Sequence, residues 1–339
     1  MDDLSLGISS TCCRLLRGGT NDKHYSSGSP NARLWRQHEV PPMWRKVNTA
    51  DKPLIIYPGE LPTRLYRYRS IRPATLDRLI ESEIIGEIIY LAGLKELNDP
   101  DEGRFHVKFD GTYSEILEFW RKALRATDSS LTAERVEAIA ASNTNDVIKA
   151  GYVTPVGVAS YTRHVLEHVV RVACFTKLPL NYSMWANYAK YFDPTTGSSD
   201  HGGLCIEYQC NESWRCLNLH PVDYGDAIPV LNAVERNELN LVKTVYMKST
   251  EWRCEEEWRI MSTLQAMPPF SNNSTENAKV KVENGVTGIL FGLNTPDSVI
   301  ETIIARVRSV KPTIPFRRVT KNPVTFAREL IELSSPGSP

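Results

Sequence analysis

The chain has no apolar run near the roughly 20 residues that a membrane-crossing helix needs. Its longest candidate, Ile84–Leu94, is interrupted by Gly86 and Glu87, so a soluble protein without membrane insertion is expected. Net charge is also missing: 40 Lys and Arg balance 40 Asp and Glu, which excludes a global electrostatic signature for nucleic acid or an anionic surface. No CxxC pair occurs among 7 cysteines, of which Cys12 and Cys13 are adjacent, and a disulfide framework is not indicated. Glycine-rich phosphate loops are absent, since Gly18–Gly19 and Gly202–Gly203 are only pairs; ATPase and Rossmann dehydrogenase readings therefore lack support. Residues Met1–Arg17 begin with two aspartates and hold no uninterrupted apolar core, unlike a secretory signal peptide. A cytoplasmic location is expected, with leaderless export as an effector left open.

What remains is a 339-residue chain long enough for a large core. Its patterning predicts an α+β fold: one mixed domain with a central, largely antiparallel or mixed sheet, a helical insertion over about residues 112–168, and a flexible arm over 1–58. The domain itself is expected over 59–325, and 326–339 reads as a tail. LYRYRS at Leu65–Ser70 alternates as a strand, Pro73–Glu83 suits a helix, and Glu87–Leu91 and Gly103–Phe109 read as strands. Tyr113–Ala126 and Ala133–Lys149 carry helical spacing. Further helices are expected over Pro155–His168, Tyr182–Phe192, Leu231–Lys248 and Pro296–Arg308, the last with Pro at its start. Strands are expected over Val169–Thr176, Gly202–Tyr208, Glu255–Met261, Val280–Val282, Gly288–Phe291 and Ile314–Val319, with polar loops at Asp193–His201 and Pro268–Thr275. The irregular order favours α+β over a doubly wound sheet.

The densest chemistry lies in WRCEEEWRIM, Trp252–Met261. If this stretch is extended, Glu255, Glu257 and Arg259 share one face while Glu256, Trp258 and Ile260 share the other. If it opens a helix, Glu255 and Arg259 form an i,i+4 pair instead. A carboxylate pair beside a guanidinium can bind a hydroxylated ligand or a metal, or serve in acid–base chemistry. In either case buried carboxylates call for a paired cation, and Arg259 is the candidate.

Other constellations are weaker. LNDPDE at Leu97–Glu102 is ordinary turn chemistry that also places Asn98, Asp99, Asp101 and Glu102 at a strand end, where functional groups often sit. His164, Glu167 and His168 spell HxxEH, a short zinc pattern without an evident third ligand. Cys205, Cys210, Cys216 and His220 lack the spacing of paired knuckles. Cys174 lies in apolar VACF, where a thiol is usually inert packing.

Taken in order, LYRYRS, LNDPDE, CFT followed by MWANY, GGLCIEY, WRCEEEWRI and GILFG resemble a bacterial family catalogued as domain of unknown function 2971, over about residues 64–319. The pattern matches at Tyr66, Tyr68, Asn98, Asp99, Pro100, Glu102, Phe175, Met184, Trp185, Tyr188, Gly203, Glu255, Glu257 and Arg259. This chain departs at Thr176, where the family usually has Ser, at Lys177, where it often has Glu, and in its longer Asp193–His201 loop. The resemblance implies a site map and carries no activity of its own.

The order of the strands also resembles an ADP-ribosyltransferase arrangement. That implies Glu257 or Glu255 at the ribose, with Thr176 as the hydroxyl residue of the middle strand, aromatics Tyr68 and Tyr188 at nicotinamide, and Arg67 or Arg69 at the diphosphate. The leading expectation is an enzyme on a nucleotide-like or glycosidic substrate, most concretely an NAD-dependent ADP-ribosyltransferase or NAD glycohydrolase with Glu257 as key carboxylate. Its catalytic residues would be Glu257, Glu255 and Thr176, and its substrate contacts Tyr66, Arg67, Tyr68, Asn98, Asp99, Trp185, Tyr188 and Arg259. No bound cofactor is firmly implied. A second expectation is a phosphodiesterase with Asp99, Glu102, Glu255 and Glu257 on magnesium or manganese. A third is a non-catalytic module, binding a nucleotide or a protein target in microbial conflict or host interaction.

Overall fold

The structure is a computed structural model that describes residues 57–151, 166–167, 170–235, 243–263 and 279–333. Residues 1–56 of the expected 1–58 arm, most of the Pro155–His168 helix, including His164 and His168, and the Pro268–Thr275 loop lie outside the described residues. The chain divides into two compact units, the larger holding 49–100, 170–226 and 246–339.

The larger unit is built on a mixed nine-stranded sheet. Its strands are β1 (Arg64–Arg69), β2 (Ala92–Gly93), β3 (Val170–Thr176), β4 (Leu204–Gln209), β5 (His220–Pro221), β6 (Glu257–Thr263), β7 (Val286–Phe291), β8 (Phe316–Lys321) and β9 (Arg328–Glu332). They lie in the order β9-β8-β7-β4-β1-β3-β6-β5, with β2 beside β3. All neighbours run antiparallel except the parallel pair β7 and β8. An α+β fold with a mixed sheet follows.

Period two sorts the sheet into two faces. Leu65, Phe175, Ile206, Trp258, Ile260, Ile289 and Phe316 form a continuous apolar core together with Ile80 and Ile84 of the helical segment Pro73–Ile85 and with Ile300, Ile303 and Val307 of helix Asp297–Arg308. The opposite face carries Tyr66, Tyr68, Cys205 and Leu290, covered by Met184 and Trp185 of the short helix Tyr182–Tyr188. That helix starts where the Asn181 side chain accepts a bond from Met184 N at 3.1 Å, satisfying a donor the helix cannot. Glycine is required where the backbones close up: a Cβ on Gly203 would stand 2.4 Å from Arg69 O, and one on Gly292 2.1 Å from His201 O.

The smaller unit falls within Asp101–Val169 and Ala227–Val245. It contains the expected helical pair, Tyr113–Thr127 and Ala133–Lys149, packed through Phe109, Ile116, Trp120, Leu124, Val136 and Val147. Thr112 and Glu115 close a reciprocal capping box on the first helix. Arg121 bridges to Glu137 on the second with two bonds of 2.7 and 2.6 Å.

Four expectations need correction. The ends of Leu231–Lys248 are strands: Val230–Asn232 pairs with His106–Lys108, and Met247–Ser249 pairs with Asp223–Gly225; remote partners override the local pattern at these ends, Lys243 and Thr244 are helical, and 236–242 lie outside the described residues. Asp193–His201 is largely a hairpin, with Tyr191–Asp193 paired to Gly197–Ser199 and Asp193 accepting from Thr195 N and Thr196 N. Within the expected tail, Arg328–Glu332 is strand β9. Finally, Glu255 does not belong to the strand. It ends a 3-10 turn over Thr250–Glu255, Glu256 takes a left-handed φ of 43°, and pairing starts only at Glu257.

No helix among the described residues is long and apolar enough to cross a membrane.

Candidate functional site

Register places Glu257 opposite Thr176 and Thr176 opposite Tyr66, which in turn faces Glu207 across β1 and β4. Directly opposed residues share a face. Glu257, Thr176, Tyr66 and Glu207 thus form one polar row, with Arg259 two residues farther along β6 and opposite Cys174.

Glu257 is clamped. Arg259, which is fully buried, gives it Nε–Oε1 and Nη2–Oε2 bonds of 2.7 and 3.0 Å, and Lys248 Nζ adds a third contact at 3.2 Å. The backbone N of Glu257 donates to the Tyr224 hydroxyl at 2.8 Å. Burial alone would push this carboxyl up; Arg259 and Lys248 outweigh it and hold the group at about 2. Glu255 reaches the same lysine by another route. Because the chain reverses at Glu256, its side chain turns inward, where Oε2 accepts from Lys248 Nζ at 2.7 Å and Oε1 from the Tyr188 hydroxyl at 2.6 Å. One ammonium therefore joins both glutamates. Burial would lower Lys248, but Glu257 and Glu255 raise it above its ordinary value.

A half-buried rim surrounds this centre: Tyr188, Tyr224 and Trp252, whose ring lies 4.4 Å from Lys248 Nζ. Exposed Asn98 reaches the Tyr188 hydroxyl, so this residue connects to Glu255 through a phenol. Burial and the bond to Glu255 raise the Tyr188 phenol, and burial pushes Tyr224 up to about 12. Both remain neutral hydrogen-bonding groups at ordinary pH.

The other expected residues fall into place unevenly. Tyr68 and Trp185 share the face of the glutamates and pack edge to face at 5.0 Å, but their polar atoms are used locally: Tyr68 donates to Leu178 O and Trp185 to Pro179 O. Thr176 is fully buried and its hydroxyl accepts from Leu178 N at 3.1 Å, fixing the end of β3. Tyr66 turns to Glu207 at 3.3 Å. Asp99 is buried in the larger unit, whereas Glu102 belongs to the smaller one. Arg67 is separated from the set. As the neighbour of Tyr66 and Tyr68 on one strand it points to the opposite face, against Glu83 at 3.5 Å and Tyr90 O at 2.9 Å. Arg69 joins it on Glu83 at 3.0 Å, so neither arginine stands with the glutamates.

Lys248, Tyr224 and Glu207 escape sequence reasoning. The signal for Lys248 is a lone lysine after apolar VYM and 7 residues before Glu255. Glu207 is held by Arg317 at 3.1 Å and Thr287 at 3.1 Å. Cys174, Cys205, Cys210, Cys216 and Cys254 form no disulfide among the described residues, and no group of three or more His, Cys, Asp or Glu there is placed to hold a metal ion. The cation between Glu255 and Glu257 is Lys248 itself.

Glu257 makes acid stability measurable. Its folded pKa of about 2 lies below its ordinary 4.5, so the stabilisation is complete above pH 4.5 and is lost as pH falls through 2. Urea unfolding should show roughly 3 kcal/mol of such loss in the native chain. In Glu257→Gln that acid-side loss should be absent; an unchanged profile would contradict the clamp.

No protein family matches the chain, and no curated protein or solved structure is similar to it.

Proposed function

We propose that the protein is an enzyme on a nucleotide-like, glycosidically linked substrate, most concretely an NAD glycohydrolase or ADP-ribosyltransferase. The observation that carries this reading is the pairing of two buried carboxylates on Lys248 behind an aromatic rim of Tyr188, Tyr224 and Trp252. Anionic groups fixed before the reaction are suited to a transition state that gains positive charge, as a ribosyl oxocarbenium does.

In this reading the two glutamates divide the work. Glu257, held by the Arg259 guanidinium and Lys248, supplies a fixed negative field. Glu255, whose oxygens accept from Tyr188 and Lys248, is the reacting carboxylate, because Tyr188 leads to exposed Asn98 and solvent. The bond from ribose C1′ to the nicotinamide nitrogen breaks, and its electron pair leaves with nicotinamide. A water or acceptor oxygen bonds to C1′, and its proton passes to Glu255 and then to solvent. Half-buried Tyr188, Tyr224 and Trp252 offer ring faces to nicotinamide.

The test is nicotinamide release from NAD by the purified protein. Glu255→Gln should reduce it about 100- to 1,000-fold, with NAD binding retained. No release and no NAD binding at millimolar concentration would refute the reading. Retained binding with no turnover in the native chain would instead favour a non-catalytic nucleotide module. The metal-dependent phosphodiesterase has less support, since Lys248 and Arg259 occupy the cation positions at the glutamates.

A further inference from the structure

We infer that two copies of this chain pair through the outer edge of β9, antiparallel about a two-fold axis at Leu330. The two ends of the sheet differ. One is closed by β5, only His220–Pro221, where proline offers no N–H. The other ends in β9, whose outer side is paired with no strand among the described residues. β9 runs in unbroken register with β8 and carries no bulge or proline, and its charges, Arg328, Glu329 and Glu332, are of both signs.

The hydrogen-bond phase of β9 is fixed at both ends. Leu333 N donates to Phe316 O and Asn322 N to Ala327 O, and both pairs lie in the β8–β9 register. Backbone groups of an antiparallel strand alternate in direction. Residues 327, 329, 331 and 333 therefore point their N–H and C=O toward β8, while Arg328, Leu330 and Glu332 point theirs outward. A two-fold at Leu330 matches these free groups to themselves: Leu330 meets Leu330 of the second copy, and Arg328 meets Glu332 at each end.

The side chains agree with that register. RELIE is charge-complementary to its own reverse, placing an opposite-charge pair directly across the strands at both ends, which is stabilising there. Arg328 is half-buried, its guanidinium over the Tyr182 ring at 5.6 Å. The Glu332 side chain, though paired with Arg317 at 3.1 Å, remains 68% exposed. Apolar surface lies alongside, with Val324 89%, Phe326 103% and Ile331 46% exposed. A contact of this kind generates a closed, isologous dimer.

Sedimentation or light scattering of the full chain should give twice the mass of one chain at tens of micromolar. Arg328→Glu places like charges across both ends, as does Glu332→Arg, and each variant alone should run as one chain. Mixed in equal amounts, the two variants restore opposite charges at both ends and should run as a heterodimer. Independently of the variants, hydrogen exchange at the Arg328, Leu330 and Glu332 amides should slow with rising concentration. The Glu329 and Ile331 amides should be protected throughout. A native chain that stays at single mass into the hundreds of micromolar overturns the inference, as does a dimer whose 328, 330 and 332 amides exchange freely or which both variants leave intact.

Discussion

Arg259→Ala is expected to cost about 3–5 kcal/mol of stability, the usual penalty for stranding one member of a buried ion pair. Arg259 is fully buried and gives Glu257 two short bonds. Without it, the Lys248 ammonium is left, among the described residues, as the cation that Glu257 and Glu255 share. Denaturant midpoints should fall accordingly, and the melting temperature should drop by on the order of 10 °C. The companion measurement separates lost charge balance from lost packing. Glu257→Gln with Arg259→Met removes one anion and one cation together and leaves Glu255 paired with Lys248. Most of the loss should therefore be recovered. If the double variant is as unstable as Arg259→Ala, the guanidinium stabilises by packing and the electrostatic account of the centre fails.

Such a centre was only partly legible in the sequence, for reasons visible at single residues. Strong local periodicity carries through: β1, the Ala133–Lys149 helix and the Asp297–Arg308 helix lie close to where spacing alone puts them. The grouping of Tyr66, Arg67 and Tyr68 fails because a strand divides neighbours between its faces, and the second face has its own buried carboxylate, Glu83, to hold arginines. Glu255 and Glu257 do converge, but through a turn. A left-handed residue at Glu256 and strand pairing that begins at Glu257 replace the simple alternation expected there. Short strands such as Met247–Ser249 and Arg328–Glu332 have little periodicity of their own and exist because a distant segment pairs with them. Lys248 arrives with one of these. Its importance depends on a contact that spacing cannot express.

Lys248→Met should be as damaging as the loss of Arg259 at neutral pH, about 3–5 kcal/mol. Removing the ammonium leaves two buried carboxylates opposed by one guanidinium, which itself is bound to Glu257. Glu255 then keeps only the Tyr188 hydroxyl as a donor from this set. Lys248→Arg, which keeps the charge, should recover much of the lost stability, and nicotinamide release should follow the same order, lowest in Lys248→Met and partly restored in Lys248→Arg. A Lys248→Arg variant as unstable as Lys248→Met would leave Lys248 as a packing element alone.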